Sequence, residues 1–507
     1  MEPLTATSMS MGETFTYQAK RDPDRVAIVC GDETITRKAL EAKANRAARA
    51  FAGLGVGPGD LVTIALPNGI DFYVAVAAAW KLGATPAPVS YRLPDIERNA
   101  IIELAQPALV VGVDPARVTG RPALAPGWQP PAGMADDPLP SVVSPSWVAL
   151  ASGGSTGRPK VIVNARPATV DPTAPISGMQ LDGVQLVPGP LYHNGPFTFS
   201  LNGLFTGSTI VLMERFDAAA ALELIEKHRV DWIFAVPTML RRIWQLPPEV
   251  REQADVSSLR VLFSSGSPWP AWLKQEYLNW LGPEKILEVY GGTEQNGSTV
   301  ITGRESLERP GSVGRPMPGH EIRILDPETG ADLPPLEIGE VFFSVPGGPG
   351  STYRYLGAES KVRDGRETLG DLGYLDADGY LYLVDRRTDL VVSGGANIYP
   401  AEVEAALERH PHVRSAAVVG LPDDDLGNRV HAIVDVGQAL PEHHPDHHSL
   451  RIHLREHLAP YKVPRTFEFV THPLRDDAGK VRRSALREAR LTSQQSTSNS
   501  PATKEIP

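Results

Sequence analysis

Apolar, strand-like runs alternate with helical segments through the first two thirds of this 507-residue chain. The run Arg25–Cys30 precedes a segment, Arg37–Leu54, in which small and apolar residues recur at the spacing of one helix face, and Thr36 is placed to cap it. The same order returns at Phe216–Arg229, where Asp217 is placed to cap the helix before a further strand. Such alternation predicts parallel strands covered by helices, which is an α/β fold.

The remaining third departs from this alternation. Residues 319–385 contain short strands separated by Gly, Pro and Asp turns, a pattern that predicts a small antiparallel β subdomain. Short strands and helices from Asp389 onward predict a compact α+β domain. Residues 491–507 are polar and almost free of large apolar side chains, so we expect a disordered tail. The expected organisation is a large N-terminal domain over 1–386, a hinge at 387–388 and a small, mobile C-terminal domain over 389–490.

Charge and cysteine content exclude several classes of protein. The chain has 49 basic and 60 acidic side chains and a net charge of −11, which argues against nucleic-acid binding. The longest apolar run, Phe72–Trp80, is shorter than the ~20 residues that cross a bilayer. The N-terminus lacks the basic and apolar regions of a signal peptide, and the single cysteine, Cys30, lies in a strand-like run, so we expect a buried thiol in a cytoplasmic protein.

Four histidines crowd one polar segment, namely His443, His444, His447 and His448. Metal binding is conceivable there, but Pro and Asp interleave with the histidines and no cysteine is near. We therefore favour a solvated surface loop.

The sharpest local pattern is SWVALASGGSTGRPKVIV, residues 146–163. Its glycines let backbone N–H groups converge, Ser155 and Thr156 add hydroxyl donors, and Lys160 adds positive charge, which together favour phosphate binding. Pro159 precedes the lysine and a strand follows, so the segment is not a Walker A motif. The same residues satisfy G-x-S-x-G, which would make Ser155 a hydrolase nucleophile, but that motif needs a helix after the turn.

Three more motifs follow in order: EVYGGTEQNG from Glu288, ETLGDLGYLDADGYLYLVDRRTDLVVSGGANIYPAEVEAAL from Glu367, and LAPYKVPRTFEFVTHPLRDDAGKVRRSAL from Leu458. With the phosphate loop, they make the chain, over roughly Glu13–Arg487, resemble the adenylate-forming superfamily of acyl-CoA synthetases, peptide-synthetase adenylation domains and luciferases. The segments SGGSTGRPK and LYHNGPF are similar to those of bacterial acyl- and bile-acid-CoA ligases. The resemblance implies an AMP-forming acid–thiol ligase that uses Mg-ATP, a carboxylic acid and CoA, has no prosthetic group, and is a monomer or homodimer.

The resemblance also implies a role for each matching residue. The nucleotide is expected to contact Ser152, Ser155, Thr156, Gly157, Lys160, Gly266, Ser267, Pro268, Glu288, Val289, Tyr290, Gly291, Thr293, Asp371, Leu383, Arg386 and Lys480. Catalysis is expected to involve Lys480, Thr156, Glu294 and His193, with Glu294 and Thr156 holding magnesium. The acyl pocket is expected at His193, Phe197, Val236, Ser265 and Gly291, the CoA path at Ser393, Gly394 and Gly395, and the hinge at Thr388.

Other readings of these motifs stay open. A half-enzyme would only convert a supplied acyl-adenylate to its thioester, a carrier-protein ligase would load a phosphopantetheinyl protein, and a scaffold would bind ATP without turnover. Gly153, Thr388 and Leu474 depart from the commonest family pattern, which leaves the balance of the two half-reactions open. Gly291 carries no side chain, so we expect room for a bulky apolar acid.

Overall fold

The computed structural model describes residues 8–153, 159–437, 445–476 and 479–498. These form two compact units, Met1–Ile322 with Phe342–Thr368, and Arg323–Val341 with Leu369–Pro507. The predicted α/β class, with a large N-terminal and a small C-terminal part, is confirmed. The predicted hinge at 387–388 stays a prediction.

The first unit contains a mixed sheet whose middle is parallel. Its strands, in spatial order, are Ser312–Pro316, Ser298–Thr302, Ile286–Gly291, Val261–Ser264, Trp232–Phe234, Val184–Val187, Thr209–Leu212, Val26–Cys30 and Glu33–Thr36. Strands from Ile286–Gly291 through Val26–Cys30 in that order run parallel. The carboxyl ends of adjacent parallel strands therefore meet at one edge of this sheet.

Smaller sheets complete the strands of the first unit. A parallel sheet has the spatial order Thr85–Pro88, Leu61–Ile64, Leu109–Val111 and Ala123–Leu124. An antiparallel sheet has the order Tyr353–Leu356, Pro159–Asn164 and Ala149–Gly153. Met9–Ser10 pairs with Thr169–Val170, and Val362–Arg363 pairs with the start of the strand at Arg366.

Helices cover these sheets, and local sequence explains where several of them begin. The α-helices of the first unit are Met11–Arg21, Arg37–Gly53, Ile70–Lys81, Asp95–Ala105, Asn194–Phe205, Ala218–His228, Pro237–Trp244, Pro248–Gln253, Ala271–Leu281 and Gly303–Glu308. Short 3₁₀ turns span Pro115–Arg117 and Pro283–Lys285. The Thr36 side chain accepts from Ala39 N at 3.2 Å, and Asp217 accepts from Ala220 N at 2.9 Å, so both predicted caps are confirmed.

Every residue of helix Ile70–Lys81 except Asp71 is buried. A helix that is apolar on every side must be enclosed by protein or lipid, and this one packs between helices Met11–Arg21 and Arg37–Gly53. Its last residue, Lys81, forms a buried ion pair with Glu41 at 2.8 Å. No helix among the described residues is long and apolar enough to cross a bilayer.

Cys30 is buried at the end of its strand, as the sequence predicts. Burial, and then the carboxylates of Glu214 and Glu33, raise the pKa of its thiol to about 11. The thiol is therefore protonated at neutral pH, and the prediction of a structural cysteine is confirmed.

The second unit contains two groups of strands. The first comprises Glu321–Leu325, Gly339–Ser344, Arg366–Leu375 and Leu381–Arg386, in that spatial order. The second comprises the hairpin Val391–Ser393 and Ala396–Ile398, and the sheet Ser415–Asp423, Gly427–Asp435 and Thr466–Val470. The helices are Pro400–Leu407, His447–Arg455 and Arg483–Ser498, with a 3₁₀ turn at Pro460–Lys462.

The strands of the second unit alternate between two apolar faces. Val418 and Val434 pack with the helices Pro400–Leu407 and His447–Arg455 on one face. Val419 and Ile433 face the opposite side, where Leu486 and Leu491 cover them. The other apolar residues of this second cluster are Ala417, Leu421, Val470, Leu474 and Val481. The sheet is thus buried on both faces.

Helix Arg483–Ser498 corrects the predicted start of the tail. The sequence predicts disorder from Leu491, but Leu491 packs against the apolar face of the sheet, which stabilises the helix beyond it. Residues 499–507 lie outside the described residues, so the tail prediction there stays a prediction.

Glu404 is the centre of a buried ion cluster in the second unit. Its carboxylate accepts from Arg483 at 2.8 Å, from Arg475 at 3.3 Å and from Val418 N at 2.8 Å. Glu402, on the same helix, pairs with Lys462 at 2.7 Å but has a 41% exposed side chain, against 4% for Glu404.

This contrast predicts unequal effects of two matched substitutions. Glu404→Gln removes one of the carboxylates that Arg475 and Arg483 pair with, and Glu408 and Asp389 still pair with them. We expect it to lower the free energy of unfolding by about 2 kcal/mol, because charge-assisted hydrogen bonds of a buried side chain are lost. Glu402→Gln removes an exposed ion pair and should cost less than about 1 kcal/mol. Urea denaturation followed by circular dichroism measures both, and equal losses would show that burial does not set the strength of this cluster.

Candidate active site

Two predicted nucleotide-binding segments, residues 266–268 and the EVYGGTEQNG motif that starts at Glu288, lie at the carboxyl ends of neighbouring parallel strands. Strand Val261–Ser264 leads into residues 265–268, and strand Ile286–Gly291 leads into Thr293 and Glu294. The two strands pair in parallel, with Ser264 opposite Glu288. Ligands of open α/β sheets bind at the carboxyl ends of strands, so this edge is the expected place for a nucleotide.

Each residue of the loop that follows Val261–Ser264 is at least partly exposed, namely Ser265, Gly266, Ser267 and Pro268. Gly266 has φ +93°, which suits glycine, and a Cβ atom there would lie 3.5 Å from Val236 Cγ1. The structure therefore brings Val236, a predicted pocket residue, next to residues 266–268, which are predicted to contact the nucleotide.

Glu294 lies at the centre of a polar cluster in the first unit. Its Oε1 atom accepts from the Tyr355 hydroxyl at 2.7 Å and from Lys160 Nζ at 3.1 Å. Lys160 Nζ also lies 2.9 Å from the Tyr355 hydroxyl. The Thr352 hydroxyl donates to the Glu294 backbone carbonyl at 3.0 Å. Two segments that are distant from Glu294 in the sequence therefore hold its carboxylate and its backbone in place.

These partners set the charge of Glu294. Burial by itself raises the pKa of this carboxyl group, but the Lys160 charge and the Tyr355 hydroxyl outweigh burial, so the net pKa is lowered. The Glu294 side chain is therefore ionised at neutral pH although it is only 9% exposed. An ionised carboxylate offers the oxygen ligands that Mg²⁺ prefers, so Glu294 fits its predicted role as a magnesium ligand.

The predicted phosphate loop connects two antiparallel strands. Ala149–Gly153 pairs with Pro159–Asn164, which places Ser152 opposite Lys160. The strand after the loop is the one that the sequence predicts, and it takes the place of the helix that a hydrolase nucleophile would need. Ser155, Thr156 and Gly157 lie outside the described residues, so their predicted roles stay predictions.

Tyr355 and Thr352 are functional candidates that the sequence reasoning missed. Tyr355 pairs with Ile162 in the strand that begins at Pro159, and this register brings the tyrosine to Lys160. The alternation Tyr353-Arg354-Tyr355 indicates two tyrosines on one face of a strand. No local signal gives the pairing with a strand nearly two hundred residues earlier.

Residues of the EVYGGTEQNG motif divide between packing and the exposed edge. Glu288 is buried and forms an ion pair with Lys274. Burial raises the pKa of Glu288, and the charge of Lys274 offsets only part of this rise. Val289, Tyr290 and Thr293 are partly exposed. A Cβ atom on Gly291 would lie 3.1 Å from the Gly297 carbonyl oxygen. Gly291 therefore permits close approach of two chain segments, which removes the argument for a bulky acid.

Two predicted pocket residues lie at the start of helix Asn194–Phe205. His193 is partly exposed and precedes the helix, and its ring is tilted by 50° against that of Tyr192, with ring centroids 4.6 Å apart. Phe197 is fully buried and packs against Trp147 and Trp80, with ring centroids at 5.7 and 6.2 Å. The packing makes Phe197 a core side chain in this structure, so its pocket role is not supported by the geometry.

Asp371 and Arg386, which are both predicted to contact the nucleotide, lie in the second unit. Asp371 and Arg386 are directly opposite in strands Arg366–Leu375 and Leu381–Arg386, and Arg386 Nε lies 3.3 Å from Asp371 Oδ1. Leu383, on the second strand, pairs with Gly373 and is partly exposed. The structure thus brings together two residues that are 15 positions apart in the sequence.

Lys480 is exposed in a tight turn of the second unit. Its backbone N–H donates to Asp476 Oδ1 at 2.9 Å, and Arg475 bridges to Val481 across the turn. Arg475 and Arg483, on either side, both pair with Glu404. Lys480 is therefore presented to solvent from an anchored base.

Gly394 and Gly395 form the two-residue turn of the hairpin that begins with Val391–Ser393. Their φ angles are +56° and +80°, the left-handed region that this hairpin turn requires. The turn is thus a sufficient reason for both glycines, apart from any CoA path. Thr388, the predicted hinge, is exposed.

Tyr355→Phe tests whether the tyrosine positions Glu294. The substitution keeps the ring but removes the hydroxyl that fixes the carboxylate, so we expect affinity for Mg-ATP to fall roughly ten- to a hundredfold, the equivalent of about 1.5–3 kcal/mol. Affinity for ATP without magnesium should change little. Calorimetry in both conditions measures this difference.

Tyr353→Phe is the matched control, because its hydroxyl lies on the same strand but donates to Glu367 at 3.0 Å. Equal losses in the two variants, or a loss that does not depend on magnesium, would contradict a positioning role for Tyr355.

Comparison with known proteins gives the same picture over most of the chain. The profile of the family described as AMP-binding enzyme matches residues 15–356, and that of the AMP-binding enzyme C-terminal domain matches residues 402–480. The fatty acid–[acyl-carrier-protein] ligase ScoC of Streptomyces coeruleorubidus is 31% identical, covering 94% of this chain and 95% of the relative. The 2-succinylbenzoate–CoA ligase of Bacillus licheniformis is also 31% identical, covering 92% and 98%.

A solved structure extends the likeness to the fold. The o-succinylbenzoate CoA synthetase MenE of Bacillus subtilis, in complex with ATP and magnesium ion, superposes with a TM-score of 0.79 at 27% identity, covering 95% of this chain and 100% of that one. The chain belongs to the AMP-binding enzyme family.

Proposed function

We propose that this enzyme is an acyl-CoA ligase, which joins a carboxylic acid to CoA in two steps at the expense of ATP. The observation that carries the proposal is Glu294, a buried carboxylate kept ionised by Lys160 and Tyr355 at the carboxyl edge of a parallel sheet. The 2-succinylbenzoate–CoA ligase relative and the MenE complex with ATP and magnesium support it.

In the first proposed step, an oxygen of the substrate carboxylate attacks the α-phosphorus of ATP. The bond from that phosphorus to the bridging oxygen breaks, and pyrophosphate leaves with the bond's electrons. Glu294 and Thr156 would hold Mg²⁺, which when bound neutralises charge on the phosphates. Lys160 and Lys480 would supply further positive charge, while Asp371 accepts hydrogen bonds from the ribose.

In the second proposed step, the CoA thiolate attacks the acyl carbonyl, and the bond to AMP breaks. We propose that residues 389–490 turn about Thr388 between the steps, so that Lys480 serves the first and the Ser393–Gly395 hairpin lines the CoA path in the second. The exposed turn that carries Lys480, with its anchored base, suits a residue that serves one pose only.

A second candidate acceptor is an acyl-carrier protein. The relative named fatty acid–[acyl-carrier-protein] ligase, at 31% identity over 94% of this chain, favours it. Both acceptors present the same phosphopantetheine thiol, so the chemistry of the second step is unchanged.

The setting of the reaction is also part of the proposal. We expect a cytoplasmic enzyme that is a monomer or homodimer and uses no prosthetic group. The single, buried cysteine, with its raised pKa, fits a protein that forms no disulfide of its own.

Lys480→Ala should separate the two half-reactions. Adenylate formation, measured as pyrophosphate release, should fall by ~10²–10³ because one electrostatic stabiliser of the first step is lost. Thioester formation from a supplied acyl-adenylate should be retained. Arg482→Ala, which removes an exposed positive charge two residues away, is the matched control and should change neither step strongly.

Other outcomes would replace this mechanism. Equal loss in both half-reactions would rule out a role confined to the first step. A wild-type enzyme that uses only supplied adenylate would be a half-enzyme, and one that binds ATP without turnover would be a scaffold.

A substrate panel tests the reaction class directly. Aryl, fatty, steroid-like and amino acids are each assayed for pyrophosphate release, with either CoA or a phosphopantetheinylated carrier protein as acceptor. We expect at least one acid to release pyrophosphate and to form an acyl-CoA. Thioester on the carrier protein alone would favour the second candidate acceptor.

A further inference from the structure

A group of potential metal ligands lies at the carboxyl end of helix His447–Arg455. The ligand atoms of His453, Glu456 and His457 all lie within 4.8 Å of one another. Among the residues that the structure describes, no other set of three or more histidine, cysteine or carboxylate side chains comes together in this way. The two histidines are four residues apart, the spacing that places side chains on one face of a helical turn.

Two further imidazoles approach this group from another chain segment. His410 follows helix Pro400–Leu407, and its ring centroid lies 5.2 Å from that of His453. His453 and His457 have centroids 4.8 Å apart, and His410 and His412 have centroids 5.7 Å apart. Four imidazoles from two segments therefore form one continuous cluster.

A backbone hydrogen bond sets the tautomer of His453. Its Nε2 atom lies 2.9 Å from the carbonyl oxygen of Ala406. A carbonyl oxygen only accepts, so Nε2 carries the hydrogen, and Nδ1 of the neutral ring carries the lone pair. Histidines that bind metals commonly donate their second N–H to such a carbonyl, which fixes the ring.

We propose that His453, Glu456 and His457 bind one divalent transition-metal ion of the kind that prefers imidazole, such as Zn²⁺. Two imidazoles and a carboxylate match the ligands of zinc better than those of Mg²⁺ or Ca²⁺. Zinc bonds of about 2.0–2.1 Å place ligand atoms about 3.4 Å apart, so the group must close slightly. Glu456 and His457 are exposed and can rotate to do so.

This site is separate from the residues assigned to the nucleotide, acid and CoA. It also differs from the segment of four histidines in the sequence. The prediction of a surface loop is wrong for His447 and His448, which begin helix His447–Arg455 and take no part in the group, and His443 and His444 lie outside the described residues. A bound ion would link the end of one helix to the segment after another and so stabilise the second unit.

Zinc binding to the full-length, tag-free protein tests the site. After treatment with a chelator, the protein is titrated with zinc chloride in a calorimeter without magnesium or nucleotide. We expect the wild type to bind one Zn²⁺ per chain. We expect His457→Ala to bind Zn²⁺ at least about tenfold more weakly, because the ion loses a ligand. His448→Ala is the matched control, since His448 is an exposed histidine on the same helix outside the cluster.

Co²⁺ provides a second readout. Bound Co²⁺ should give visible d–d absorption bands in the wild type and in His448→Ala. These bands should be lost in His457→Ala. Thermal melting without metal checks that both variants fold equally. Absence of zinc binding by the wild type, or greater loss in His448→Ala than in His457→Ala, would overturn the proposal.

Discussion

The charge of Glu294 governs how the first unit is assembled around its site. A buried carboxylate without a partner costs several kcal/mol, so the sheet edge that carries Glu294 needs a cation and a donor close by. Lys160 and Tyr355 supply them from segments that lie 134 and 61 residues away in the sequence. The ion pair between Lys160 and Glu294 thus holds strand Pro159–Asn164 close to the segment that follows strand Ile286–Gly291.

A buried glutamate also organises the second unit, where Glu404 holds the two arginines on either side of Lys480. Arg475 and Arg483 flank Lys480 in the sequence, and both pair with the buried Glu404. The residues on both sides of the turn are held, and Lys480 is exposed. The backbone at Lys480 can therefore be fixed in position although the side chain is exposed. Burial of this side chain would disfavour its positive charge.

Local chemistry made much of the fold predictable. Thr36 and Asp217 cap their helices through contacts within four residues, and strand Thr466–Val470 follows from its own apolar pattern. The pair Asp371 and Arg386 was predictable for a different reason, since the resemblance to a family assigned both residues before any contact was known.

The features that escaped prediction depend on distant partners. Tyr355 reaches Glu294 only through a strand pairing with Pro159–Asn164, and His410 reaches His453 only through helix packing. The polar composition after Arg490 hides Leu491, whose apolar contacts exist only once the sheet has formed. Phe197 illustrates a different difficulty. The family resemblance assigns it to the acyl pocket, but its side chain is buried in the core of the first unit, and the resemblance does not indicate which helix face is buried.

The buried thiol of Cys30 makes this chain unusually convenient for spectroscopy. It is the only cysteine in the sequence, and burial, which raises its pKa to about 11, leaves little of the thiolate that maleimide dyes attack at neutral pH. A cysteine introduced at an exposed position in either unit would then carry the label alone, with the natural chain as its own blank. Pairs of such positions would report distances between the two units during turnover, without first removing a native thiol.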